Sequence, residues 1–183
     1  MDSGCALFLV VKYRGTAAPE APAAPGHSVR VQGPWNVKFQ QGRGAPESVT
    51  WSTLTDWTAC EDAGIRYFSG TADYTAILNL DKEITGNAVI SLGEVRNVAE
   101  VTVNGTECGI AWRHPFTVDI PAGVLKAGDN EIVITVANSW VNRIVGDLQP
   151  GCIHKFTVTP RVFYNAESPL LPSGLLGPVE LKY

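Results

Sequence analysis

The sequence has few charged residues and no stripe of basic ones. Only 17% of its 183 residues are charged, and the formal net charge is −4. Proteins that bind nucleic acid rely on clustered lysine and arginine side chains to neutralise phosphates. The composition therefore argues against nucleic acid as a partner.

The cysteines and histidines lack the spacing of a metal site. The four cysteines are Cys5, Cys60, Cys108 and Cys152, and no two of them form a CxxC pair. Structural zinc sites need such close pairs, and the three histidines are scattered as well. We therefore expect no zinc. Each cysteine is interpreted as a small buried apolar side chain. The spacing is also compatible with one disulfide bond.

The N-terminal region has no apolar run long enough to cross a membrane. Its apolar core extends only from Ala6 to Val11, whereas a transmembrane helix needs about 20 residues. Lys12 and Arg14 follow this core, but the basic residues of a signal peptide precede it. The pattern predicts a strand in residues 1–14, with no signal peptide and no membrane association.

Turn residues and β-branched residues are abundant instead. The chain has 18 Gly and 12 Pro. No segment shows a sustained helical period, although one helical turn fits residues 121–126. Residues 15–27 are rich in Ala and Pro and predict a linker or surface loop. Closely spaced strands joined by turns favour an all-β fold for residues 28–183, an antiparallel β-sandwich or jelly roll.

Several segments alternate apolar and polar residues, as half-buried strands do. The side chains predicted to point into the core are Tyr74, Ala76, Leu78, Leu80, Ala99, Val101, Val103, Ile132, Ile134 and Val136. Asn104-Gly105 predicts a hairpin, because both residues tolerate the positive φ of a type I′ turn. Gly33-Pro34 should end the first strand of the domain, Ala127 to Asn130 should form a turn, and "GPVELKY" predicts the last strand.

Four segments in a fixed order resemble a known family. They are "GIRYFSGTADYTAILNL", "LGEVRNVAEVTVNGTECGIAWRHPFTVDI", "LKAGDNEIVITVANSWVNRIVGD" and "GLLGPVEL". Over roughly residues 33–183 the chain resembles the galactose-binding-like, sugar-binding domain of glycoside hydrolase family 2. The version it is most similar to lies at the C-terminus of family 106 α-L-rhamnosidase-like glycoside hydrolases. "CALFLVVKYRG" resembles the segment that precedes this domain, and the catalytic barrel is absent from the sequence.

The resemblance implies a function as well as a jelly-roll fold. It implies a non-catalytic carbohydrate-binding module that accompanies a glycoside hydrolase and binds a polysaccharide or oligosaccharide. The alternative is a structural accessory domain that packs on a glycosidase catalytic barrel without binding sugar. Either would belong to a protein secreted by a bacterium or held in its periplasm. No cofactor is implied beyond a structural calcium, for which Asn79–Glu83 and Ala127–Glu131 are the nearest acidic loops.

Candidate sugar-binding residues follow from the chemistry of carbohydrate recognition. Sugars stack on aromatic faces and pair their hydroxyls with planar polar groups. The candidates are Trp57, Glu61, Arg66, Trp112, Arg113 and His114. Trp57 lies in a polar loop and is predicted to be an exposed platform, with packing in the core as the equal alternative. Arg66 and Arg113 depart from the family pattern by introducing charge.

The stretch "SWVNRIVGD" carries a second group of polar residues. Its members are Trp140, Asn142, Arg143 and Asp147. We predict an irregular loop in which Arg143 pairs with Asp147 and Asn142 bonds to nearby backbone. A loop-fixing role is favoured over sugar contact, and docking on the missing catalytic domain is a third reading.

Independent glycoside hydrolysis is the least favoured function. It needs two carboxyl groups about 5–10 Å apart across a cleft. The available side chains are Glu61, Asp62, Glu107, Asp119 and Asp147. Their spacing shows no facing pair, so we expect no catalytic residue in this chain.

Overall fold

A computed structural model describes residues 26–161 and 163–183. The strand and the Ala/Pro-rich linker predicted before the domain fall almost entirely in residues 1–25, outside the described residues. The described residues are mostly β, with twelve strands in antiparallel pairing. The predicted all-β sandwich is confirmed.

The elements follow one another with short connections up to residue 147. The strands are β1 (Ser28–Arg30), β2 (Trp35–Phe39), β3 (Ser48–Trp51), β4 (Thr71–Leu80), β5 (Ala88–Ser91), β6 (Glu94–Arg96), β7 (Val98–Val103), β8 (Thr106–Ala111), β9 (Thr117–Ile120), β10 (Gly128–Ala137), β11 (Gly174–Gly177) and β12 (Glu180–Lys182). The helices are α1 (Ala63–Arg66) and α2 (Val141–Asp147), and a 3₁₀ turn spans Trp57–Ala59.

Two main sheets pack face to face. The larger has the order β3-β2-β4-β10-β7-β8, the smaller has the order β1-β12-β5-β9, and β11 pairs with β6 beside them. All ten side chains predicted to point inward are buried in one core shared by the sheets. The alternation prediction is therefore confirmed, as expected for sheets with one face on a core.

The predicted hairpin at Asn104-Gly105 joins β7 to β8. Both residues have positive φ, 50° and 77°, which fits the turn chemistry. Asn104 also donates from Nδ2 to Oδ1 of the buried Asn130, 2.8 Å away. Asn130 in turn accepts from the backbone N–H of Lys126 at 2.9 Å. The turn residue thus ties two loops at this end of the sandwich together.

Three local predictions are wrong. Residues 121–126 form a turn rather than a helical turn, and Gly128 to Asn130 already belong to β10 rather than to a turn. The expected irregular loop after β10 is the helix α2. Its buried residues are mainly polar, namely Asn142, Arg143 and Asp147 beside Val145 and Gly146. An apolar stripe, which is the usual sequence signal of a helix, is therefore missing.

The expectation for the cysteines is also wrong where the structure tests it. Cys60, Cys108 and Cys152 are half-buried and free of disulfides. Burial raises the pKa of the Cys60 and Cys108 thiols. Cys5 lies outside the described residues.

Candidate functional site

Trp57 is fully buried, so the prediction of an exposed platform is wrong. Its indole Nε1 donates to the hydroxyl oxygen of Tyr74 at 2.6 Å. Its ring packs edge-on against Phe39 and Phe68, with centroids 5.6 and 5.3 Å away. The Tyr74 hydroxyl also accepts from the N–H of Leu175 at 3.2 Å, and burial raises the pKa of Tyr74. Trp57 thus closes one end of the core.

Arg66 is engaged with backbone rather than directed at a ligand. Its Nε donates to the carbonyl of Cys60 at 2.9 Å, and its Nη2 to the carbonyl of Glu61 at 3.2 Å. Asp62 caps α1 by accepting from Gly64 N–H at 2.7 Å. These contacts shape the loop before β4. Glu61 and Asp62 are exposed, and Arg66 is half-buried.

Trp112, Arg113 and His114 form an exposed group in the turn between β8 and β9. Trp112 is 67% exposed. The guanidinium carbon of Arg113 lies 5.9 Å from the indole centroid, and the His114 ring packs edge-on against Phe116 at 4.5 Å. The six candidates therefore separate into a core residue, an α1 group and this turn. Of the two tryptophans proposed as platforms, only Trp112 presents its ring to solvent.

The second group of polar residues surrounds α2 and is buried. Asn142 donates from Nδ2 to the carbonyl of Leu171 at 2.7 Å and accepts from Leu171 N–H at 2.8 Å. It also donates to the Ser173 hydroxyl at 3.0 Å. One amide thus fixes the end of the segment that returns to β11. The predicted hydrogen bond of Asn142 to nearby backbone is wrong, because its backbone partner Leu171 lies 29 residues further along the chain.

Arg143 and Asp147 make a buried ion pair on the next face of α2. Nε of Arg143 lies 2.9 Å from Oδ1 of Asp147. The second carboxylate oxygen accepts from Phe156 N–H, Thr157 N–H and the Thr157 hydroxyl, at 2.9, 2.7 and 2.7 Å. The carboxylate therefore holds both the guanidinium and the start of the segment that follows α2. The predicted pairing is present, in a helix rather than a loop.

Three polar residues that sequence reasoning left without a role complete the cluster. Ser69 donates from its hydroxyl to the carbonyl of Ser139 at 2.9 Å and accepts from Arg143 N–H at 3.2 Å. Asn138 donates to the carbonyl of Phe68 at 2.9 Å and to the Ser173 hydroxyl at 3.1 Å. Ser69 and Ser173 each precede a glycine, which marked their positions as turns but gave no signal of burial.

Residues 148–173 form a long segment without helix or strand in its described part. It carries five exposed large apolar side chains, which are Ile153, Val158, Phe163, Tyr164 and Leu171. The first three are almost fully exposed. Contiguous exposed apolar groups on soluble proteins often mark an interaction surface. We call residues 148–173 the apolar segment.

The described residues offer no metal centre. No group of three or more histidine, cysteine or acidic side chains could hold an ion there. In the loops considered for calcium, Asp129 accepts from Asn79 at 2.7 Å. The carboxylates of Asp147 and Asp62 already accept the hydrogen bonds described above. Among the described helices, none is long and apolar enough to span a membrane.

The comparisons with known proteins point to glycosidases. No family model matches the chain. A "Putative beta-glucuronidase" from Formosa agariphila is 31% identical over 179 residues, which cover 84% of this chain and 15% of that protein. A solved rhamnosidase from Novosphingobium sp. PP1Y is 39% identical with a TM-score of 0.79, over 94% of this chain and 16% of that one.

A more distant structure shares the fold alone. It is a β-galacturonidase of glycoside hydrolase family 2 from Eisenbergiella tayi, with a TM-score of 0.55 and 17% identity, over 85% of this chain and 24% of that one. The chain spans only 15–16% of the length of the two nearer relatives. It therefore corresponds to one domain-sized part of larger glycosidases.

Proposed function

We propose that this chain is a non-catalytic, galactose-binding-like accessory domain of an α-L-rhamnosidase-like glycoside hydrolase, and that it packs on the catalytic domain through the apolar segment. The observation that carries the proposal is the exposure of large apolar side chains on a segment that is anchored to the sandwich. The predicted secreted or periplasmic location goes with this proposal.

The anchoring distinguishes the apolar segment from a loose tail. Asp147 holds Phe156 and Thr157 in its first half, Asn142 holds Leu171 near its end, and Gln149 donates to the carbonyl of Ala166 at 2.8 Å. Fixing these points in advance lowers the entropic cost of docking. The exposed Ile153, Val158 and Phe163 are then presented as an apolar contact of the kind that dominates interface energies.

Docking can be tested with the Novosphingobium rhamnosidase from which the part matching this chain has been deleted. The isolated chain should bind that truncated enzyme in trans. A triple variant, Ile153→Ser, Val158→Ser and Phe163→Ser, should bind at least about tenfold more weakly. Ile77→Ser, an exposed apolar residue on the outer face of β4, is the matched control and should bind like the parent chain. Equal Kd values for all three chains, by isothermal titration calorimetry, would overturn the docking surface.

A second candidate function, carbohydrate binding, is favoured by one observation. Trp112 presents its indole ring to solvent beside Arg113 and near the exposed Ile110 of the edge strand β8. An exposed aromatic face with an adjacent guanidinium can stack on a sugar ring and bind its hydroxyls. A sugar ring would therefore stack on Trp112 in this turn and not on the buried Trp57.

If the chain binds sugar there, Trp112→Ala should weaken binding about fivefold or more, because an aromatic contact contributes roughly 1 kcal/mol beyond burial. The measurement is a titration of plant polysaccharides and oligosaccharides, including rhamnogalacturonan, followed by tryptophan fluorescence. Ile77→Ser serves as the control, since Ile77 is also an exposed apolar residue but lies in β4. Undiminished affinity in Trp112→Ala would exclude the turn as the platform.

A further inference from the structure

We infer that a cleft between α1, α2 and residues 42–45 binds the carboxylate of an acidic sugar. The cleft has a volume of about 350 Å³, within the range of small-molecule sites and large enough for one sugar ring. Its lining includes Tyr67, Arg143, Cys152 and Phe156. The site is separate from the Trp112 turn, and the inference stands without the docking proposal.

The guanidinium of Arg143 is the charged group in the wall of this cleft. The Arg143 side chain is more than nine-tenths buried, and only its Nε is paired with Asp147. Among the described residues, no hydrogen bond satisfies Nη1 or Nη2. Among the described residues, Nε of Arg143 and Oδ1 of Asp147 are fully enclosed, whereas Nη1 and Nη2 are not. The two Nη groups can therefore donate to acceptor oxygens of a molecule in the cleft. A planar carboxylate supplies two of them in matching geometry.

Close packing fixes the guanidinium at this position. Its carbon lies 4.9 Å from the centroid of the Phe156 ring. A Cβ atom at Gly146 would lie 2.5 Å from Nη2, and one at Gly44 would lie 2.9 Å from the Phe156 ring. Glycine at both positions therefore lets Arg143 occupy the wall. A preorganised donor loses little entropy when a ligand binds.

A second positive charge lies next to the cleft. Arg43 precedes Gly44, which lines the cleft, and its guanidinium carbon lies 4.7 Å from the centroid of the Trp140 ring. In the described part of the chain no carboxylate pairs with Arg43. The carboxylate of Asp62 near Gly64 is engaged by the N–H groups of Gly64 and Ile65. Asp147 offsets the charge of Arg143, so Arg43 is the positive charge beside the cleft that an anionic ligand could pair with.

The remaining lining suits a sugar ring better than an inorganic anion. Tyr67 and Phe156 supply aromatic surface, and residues 149–151 also line the cleft. Aromatic surface contacts the C–H faces of a pyranose. The combination of aromatic rings with one oriented guanidinium points to a uronic acid.

The cysteines provide a readout at the site itself. Cys152 lines the cleft, whereas Cys108 lies in β8, and both thiols are half-buried. We would titrate the chain with galacturonate and glucuronate, and with the neutral partners galactose and glucose, and follow alkylation of each cysteine by mass spectrometry. At a uronate concentration about ten times its Kd, alkylation of Cys152 should slow by up to about tenfold by mass action. Cys108 should be unaffected.

Two variants test the assignment of the charges. Arg143→Lys removes the paired nitrogens and should weaken protection by uronate about tenfold or more. Arg43→Gln, at a half-exposed residue beside Trp140, should weaken it about two- to fivefold. Lys82→Gln, in the exposed turn after β4, is the control. Equal protection by galactose and galacturonate, no protection by either uronate, or full protection in both arginine variants would overturn the inference.

Discussion

Trp57→Ala should lower the free energy of unfolding by about 3–5 kcal/mol, the usual cost of removing a buried aromatic side chain from a core. For a chain of this length the midpoint of thermal unfolding should fall by roughly 6–20 °C. Three effects contribute to this loss of stability. The variant leaves a cavity beside Phe39 and Phe68, removes the packing of the indole, and deprives the Tyr74 hydroxyl of one of its two donors.

Trp112→Ala is the matched control for this experiment. It removes the same side chain from an exposed turn, so stability should change by no more than about 0.5 kcal/mol. Urea denaturation of both variants, followed by circular dichroism, gives the comparison. If the two substitutions lower the free energy of unfolding equally, the assignment of Trp57 to the core is contradicted.

Asp147→Asn should lower the free energy of unfolding by about 3–5 kcal/mol, although it changes neither the size nor the shape of the side chain. The substitution leaves the Arg143 guanidinium buried without its counter-charge, and breaking one partner of a buried ion pair has a cost of this order. It also places an amide where a carboxylate oxygen accepts three donors from Phe156 and Thr157.

Hydrogen exchange provides a local measurement for the same variant. The amides of Phe156 and Thr157 should lose protection before the strands do, because their acceptor is the altered group. Asp81→Asn, in the exposed turn after β4, should leave both stability and exchange within about 0.5 kcal/mol of the parent. Unchanged protection at Phe156 and Thr157 would contradict the anchoring role of Asp147.

The strands were predictable because their signal is local. Alternation of apolar and polar residues in β4, β7 and β10 assigns each side chain to a face without reference to the rest of the chain. The hairpin at Asn104-Gly105 was predictable for the same reason. The pairing of Arg143 with Asp147 also has a local signal, since the two residues are four apart.

The environment of Trp57 depends on residues far away in the sequence. Its loop is polar, and nothing near it indicates that the ring turns inward to reach Tyr74. Gly174 makes room for the indole, since a Cβ atom there would lie 2.6 Å from Trp57 Nε1, and its φ of +101° favours glycine. A single sequence does not reveal that positions 57, 74 and 174 meet.

The helix α2 escaped prediction for a related reason. Its buried face is polar, and the groups that satisfy it come from Ser69, Phe156, Leu171 and Ser173. Because no apolar stripe marks the helix, the period of 3.6 residues is invisible in hydropathy. The cleft beside Arg143 was equally hidden, since its walls come from four separate segments.

The most direct test of the docking account compares one triple variant in two settings. The isolated chain, and a Novosphingobium rhamnosidase in which this chain replaces its matching part, would each carry Ile153→Ser, Val158→Ser and Phe163→Ser. Thermal unfolding and rhamnosidase activity would be measured. Since these side chains are exposed, the isolated chain should keep its Tm within about 2 °C. The chimeric enzyme should lose several degrees together with activity. If the chimera with the triple substitution has the same Tm and rhamnosidase activity as the chimera without it, the docking account is contradicted.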